Sequence, residues 1–215
     1  MDRRVALKNM GLSLGYAVAM PTLISIVQSC KNEKVLEWTP DFFTPEQGAV
    51  LTQLVDIILP KTDTPSASEV QVHLFIDRLT DQVTEKGKQD FMKMSMDKFI
   101  AKALKDSGKE KAADLEPKDL EPVLAETLKM TKEDQIQNLK VIDVYTESMA
   151  NGKPVDITDE VSRFGFANNL RGLTIWGYKT SEYVGETVLA YLPVPGEYIA
   201  CGDLNELTGG KAWSL

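Results

Sequence analysis

Few residues in this chain can do covalent or acid–base chemistry. His73 is the only histidine, and Cys30 and Cys201 are the only cysteines. A mechanism that needs two histidines within the chain is therefore excluded, as is a Cys-x-x-Cys-His haem attachment. His73 follows Glu69 by four residues, a spacing that places both on one helical face, but a metal centre would need more ligands from elsewhere. A surface or locally hydrogen-bonded histidine is the simpler reading. No glycine pattern spells a dinucleotide or Walker loop, and no pair of carboxylates sits in the apolar setting that would split their acidities for general acid–base work. These residue types point to no catalytic, cofactor-binding or metal site. Met92, Met94 and Met96 read as core filler.

The N-terminus carries chemistry of a different kind. Asp2, Arg3, Arg4 and Lys8 are the only charges in the first thirty residues, and an uncharged run from Asn9 to Cys30 follows them. That is the layout of an export signal. Arg3-Arg4 ahead of a stretch kept mildly apolar by Gly11, Ser13 and Gly15 resembles a twin-arginine signal, whose cargo crosses the membrane folded. Val27-Gln28-Ser29-Cys30 resembles a lipobox, with Cys30 as the lipid-modified residue. Cleavage after Ala17-Val18-Ala19 and an uncleaved anchor are the competing readings, the second opposed by Pro21. The body is expected outside the cytoplasm, on the periplasmic or cell-surface side, held to the membrane through a lipid. Cys201 is then its one thiol, either buried and inert or bonded to another chain.

Charge narrows the partners. The 215 residues carry 24 Lys and Arg against 32 Asp and Glu, a net of -8. With no basic stripe, nucleic acid is not an expected partner. The hydrophobic fraction of 43% suits one folded body with a real core.

The elements of that body read as helices. Residues 1–30 are the signal and 31–43 a tether; the domain occupies 44–215. Thr44-Pro45-Glu46-Gln47 is a capping sequence, and Leu51, Leu54, Val55 and Ile58 follow on one face. Leu59-Pro60 ends that helix, residues 61–68 are a loop, and Ser66 with Glu69 caps the next helix, whose stripe is Val72, Phe75, Ile76, Leu79 and Val83. A third helix spans Lys88 to Leu104, and the charged stretch Lys105–Lys118 reads as a solvated connection. Helical spacing resumes at Leu120, Leu124 and Leu128. It returns after the cap Thr131 with Ile136, Leu139, Ile142, Tyr145 and Met149, and after Thr158 with Val161, Phe164 and Leu170. A final helix from about Ser181 to Leu189 leads into a Pro- and Gly-rich tail. The fold class is all-α, a single irregular helical bundle with a non-regular C-terminal tail.

Two stretches are more specific than composition. Leu54-Val55-Asp56-Ile57-Ile58-Leu59-Pro60-Lys61-Thr62-Asp63-Thr64-Pro65-Ser66-Ala67 is the first. The second is Gly177-Tyr178-Lys179-Thr180-Ser181-Glu182 with Leu189-Ala190-Tyr191-Leu192-Pro193-Val194-Pro195-Gly196-Glu197-Tyr198-Ile199-Ala200-Cys201. Together they resemble the gluconate 2-dehydrogenase subunit 3 family, over most of the chain from Leu51 to Cys201. The resemblance implies a noncatalytic small subunit of a membrane-associated dehydrogenase complex that acts on a sugar acid, sugar or alcohol. FAD is expected in the larger partner and none in this chain, with a cytochrome subunit as a further expected carrier. The arginine pair then implies an export escort for the flavin-loaded partner. Tyr178, Thr180, Ser181, Glu182, Tyr191, Pro193, Pro195, Tyr198 and Cys201 are the candidate partner contacts, Tyr and Trp being favoured at interfaces. Both motifs could equally serve only to close the bundle. The alternative function is a stand-alone exported lipoprotein that binds a small solute in a helical pocket.

Overall fold

The computed structural model describes residues 38–153, 155–194, 196 and 201–214. Arg3, Arg4, Cys30, Pro195 and Tyr198 lie outside the described residues. Six long helices follow in order: α1 Pro45–Ile58, α2 Val72–Gln82, α3 Lys86–Ser107, α4 Pro117–Leu128, α5 Lys132–Ala150 and α6 Asp159–Lys179. A 3-10 turn, Ala112–Asp114, precedes α4, and a π-helical turn, Val184–Val188, and a short helix α7, Leu204–Thr208, follow α6. Among the described residues there is no strand, only an isolated bridge between Ala190 and Trp213. The expected all-α bundle is what the chain forms.

Local signals start the helices where the sequence places them. The Thr44 hydroxyl accepts the Gln47 amide and the Gln47 side chain accepts the Thr44 amide, a reciprocal cap with Pro45 in the first helical position. Thr131 and Thr158 cap α5 and α6 one way only, their side chains accepting the backbone amides of Asp134 and Val161. α3 ends on Gly108, whose φ of 69° is the left-handed turn that glycine adopts without a Cβ penalty.

Helix α6 is the hub, in packing contact with each of α1 to α5. Its buried residues include Phe164, Phe166, Ala167, Leu170 and Thr174, so it is apolar on more than one side, as a surrounded helix must be. Two glycines bring neighbours close to it. A Cβ on Gly165 would meet Phe91 Cζ at 2.7 Å and Ile142 Cδ1 at 2.8 Å, and one on Gly177 would meet Phe75 Cδ1 at 2.6 Å. The main core gathers Leu51, Leu54 and Val55 of α1, Ile76 of α2, Met96 and Phe99 of α3, Leu120 of α4 and Phe166 of α6. Phe99 and Phe166 are in ring contact at 5.3 Å.

Four expectations need correction. The end of the tether is docked: Phe43 is buried, and the Asp77 carboxylate accepts the backbone amides of Asp41, Phe42 and Phe43 at 2.7, 3.2 and 3.0 Å. Ser66 and Glu69 do bond each other's amides, but on a turn. The helix begins only at Val72, after Gln71 has taken a left-handed φ of 61°. The charged stretch after Lys105 is not wholly solvated, because Leu115 is fully buried and Lys109 is tied to Asp119 at 2.7 Å. Ile136, Leu139 and Met149 of α5 are exposed, because this peripheral helix packs on α3 and α6 through a narrow strip around Ile142.

Candidate functional site

The two motif stretches meet at one end of the bundle. The first forms the α1–α2 loop, which three sets of bonds hold rigid. Asp56 on α1 accepts the Ser68 amide at 2.7 Å and the Ser68 hydroxyl at 2.6 Å. The Ala67 amide donates to the Leu59 carbonyl and the Val72 amide to the Ala67 carbonyl, each at 3.0 Å. Lys61 pairs with Glu69 at 2.6 Å on the surface; this bond lowers the Glu69 pKa, helped by the Ser66 amide, and raises that of Lys61.

Tyr178, near the end of α6, joins the second stretch to the first. Its hydroxyl donates to the Pro65 carbonyl at 2.8 Å and pairs with the Thr64 hydroxyl at 2.9 Å. The ring leans on the main core, so this candidate contact residue is committed inside the chain. Thr180 caps α6, its hydroxyl bonded to the Trp176 carbonyl at 2.9 Å, and the Ser181 hydroxyl bonds the Tyr178 carbonyl at 2.8 Å. The predicted last helix is a π-turn, with the Leu189 amide on the Val184 carbonyl at 2.9 Å. Gly185 there faces Ser214, so the tail returns to this end of the fold.

What these residues present outward is mixed, with aromatic groups beside polar ones. Glu182, Tyr191 and Pro193 are exposed, as are Trp176 and Tyr183. Trp176 rests edge-on against Phe75 at 5.1 Å between ring centres. An open hollow of about 430 Å³ lies between the loop, from Lys61 to Val70, and Tyr183. Cys201 is free and exposed rather than buried, in a part of the tail around α7 that buries no side chain. Among the described residues, no group of three or more His, Cys, Asp or Glu is placed to hold a metal ion. No helix among them is long and apolar enough to cross a membrane.

The gluconate 2-dehydrogenase subunit 3 family matches residues 45–196, well over half of the chain. The chain belongs to that family. Both motif stretches, as far as Gly196, fall inside the matched span, so the subunit 3 assignment covers the α1–α2 loop, the hub helix and the π-turn together. The family's description implies a subunit of a dehydrogenase complex. No curated protein and no solved structure matches the chain.

His73 departs from its sequence reading. It is buried, its ring lies 5.2 Å from that of Trp38, and its Nδ1 has no hydrogen-bond partner. Glu69, expected on the same face, is instead paired with Lys61. Burial pushes the imidazole below its ordinary 6.5, while the Asp56 and Asp77 carboxylates pull partly the other way. The sign follows from linkage. As pH falls through 6.5 the unfolded chain takes up a proton that the folded chain resists, so stability drops, by at most about 1.4 kcal/mol per pH unit for one proton. With no second histidine in the chain, His73→Gln should flatten the melting temperature between pH 6.5 and 5.5. An unchanged slope in that variant would show that the dependence arises elsewhere.

Proposed function

We propose that this protein is the noncatalytic accessory and export-escort subunit of a membrane-associated, FAD-dependent dehydrogenase of a sugar acid, sugar or alcohol. The larger partner holds the flavin, and a cytochrome subunit passes the electrons on. The Arg3-Arg4 signal carries the folded pair across the membrane, and a lipid on Cys30 keeps the complex at its outer face.

The observation that carries this reading is where the exposed apolar surface falls. Most of the large hydrophobic side chains exposed among the described residues lie between Ile175 and Trp213, including Trp176, Tyr183, Tyr191, Leu192 and Val194. Scattered apolar residues are normal on a monomer, whereas a run of aromatic and aliphatic groups in one stretch suits a partner. Tyr178 lies within that stretch and ties it to the α1–α2 loop, so a rigid scaffold stands behind it.

Purification of the tagged protein from its native membrane in mild detergent tests the proposal. A stoichiometric larger chain with flavin absorbance is expected; a colourless protein without a partner would overturn it. The escort role has its own test, because Arg3→Lys with Arg4→Lys should leave the flavoprotein in the cytoplasm.

A further inference from the structure

The hydrophobic core is split in two. The main cluster lies among α1, α2, α3, α4 and α6, and a small one of Phe91, Ile142 and Phe164 lies where α5 meets α3 and α6. A cavity of about 330 Å³ is lined by members of both clusters, Met92 from the first and Phe91 and Ile142 from the second. Leu79 of α2, Leu139 of α5 and Leu173 of α6 extend its apolar wall. That volume is at the lower end of the range in which small molecules are held, and the space between helices of a bundle is a common place for them.

The polar groups around it have unspent capacity. The Thr80 hydroxyl donates to the Ile76 carbonyl at 2.7 Å and the Thr146 hydroxyl to the Ile142 carbonyl at 3.0 Å, which leaves both oxygens able to accept. Asn168 uses its carbonyl oxygen on Arg171 at 2.9 Å and keeps its amide hydrogens. The Asn169 amide meets only the Met92 thioether, at 3.6 Å, a weak acceptor. Of the two charged side chains that line the cavity, Lys88 is paired with Glu85 and Asp143 is exposed. An uncharged occupant is favoured, because an ion would lose its hydration with no compensating charge inside.

We propose that this cavity is a binding site for a small uncharged amphiphile, with an apolar body of one or two rings and a single hydroxyl or carbonyl group, whose binding clamps α5 to the rest of the bundle. The clamp follows from the way α5 is held. Ile142 is the one buried residue among its nineteen, so an occupant resting on Leu139 and Ile142 adds a large share to the helix's apolar contact.

The test uses the purified full chain with 2-naphthol as the probe. Methionine-methyl NMR should show a saturable shift of Met92, and amide exchange across 132–150 should slow at least tenfold at saturation. Naphthalene-2-sulfonate, with its charged head, should bind at least tenfold more weakly. Leu139→Trp, which fills the cavity, should abolish the probe response and by itself slow exchange in α5. Asn169→Leu, at the exposed edge, should cut the preference for naphthol over naphthalene to within twofold. An unmoved Met92 methyl, unchanged exchange in 132–150, or a probe response that survives Leu139→Trp would each overturn the site.

Discussion

Asp77→Ala should lower the unfolding free energy by about 3 kcal/mol or more, a large share of a domain's total. The carboxylate is 1% exposed and accepts three consecutive backbone amides, those of Asp41, Phe42 and Phe43. Alanine leaves those amides without their acceptor, and the Phe43 amide is in a buried bond. Hydrogen bonds to a charged group contribute more than neutral ones, and a buried donor left unmade costs its full desolvation. Asn, with one carbonyl oxygen in place of two carboxylate oxygens, should fall between the two. Urea denaturation gives the energy, and protease cleavage near residues 38–44 shows whether the lead-in has come loose. A change below 1 kcal/mol would mean that the lead-in does not depend on Asp77.

Gly177→Leu should cost about 3 kcal/mol, the upper end of what overpacking normally costs. The first atom added already falls 2.6 Å from the Phe75 ring and 3.3 Å from Val72, so α2 and α6 must separate. Phe75 cannot simply swing aside, because its other neighbour is Trp176. Separation at this point would also pull Tyr178 from Pro65 and Thr64, so binding of any partner that reads this end should weaken with stability. Gly172 on the same helix is the control. A Cβ there meets nothing within 4 Å, and Gly172→Ala should stabilise by about 0.5–1 kcal/mol through helix propensity alone. Thermal melts of the two variants should move in opposite directions, and movement in the same direction would refute the steric account.

Much of this architecture was legible in advance because it rests on local chemistry. Thr44, Thr131 and Thr158 cap helices wherever they stand before a periodic apolar run, and Leu51, Leu54 and Val55 reach the core through spacing alone. The two motif stretches were recognisable as a pair, and Tyr178 supplies the physical reason: it bonds one to the other. What could not be read depends on partners distant in sequence. Asp77 has the look of an ordinary charged residue of an amphipathic helix, and no sequence signal announces that its carboxylate turns inward to the amides of Asp41, Phe42 and Phe43. The sequence supports a surface or locally hydrogen-bonded His73, because nothing nearby announces that Trp38 lies against it. Ile136 and Leu139 have faultless helical spacing, yet α5 meets its neighbours through too narrow a strip to cover them. Gln71 breaks the helix start with a backbone conformation that glutamine rarely takes, so no residue-type signal marks it.

The hub position of α6 sets the order in which the chain can fold during synthesis. Helices α1 to α5 all leave the ribosome before the element on which every one of them packs. Until Lys179 has emerged, their apolar faces have only each other, and the central slot occupied by Phe166 and Leu170 stays open. Commitment to the fold is therefore delayed until late in translation, after the chain has been made as far as Lys179. A nascent chain of this kind spends most of its synthesis with its future core within reach of chaperones, and a truncation just before Asp159 yields five helices with no common centre.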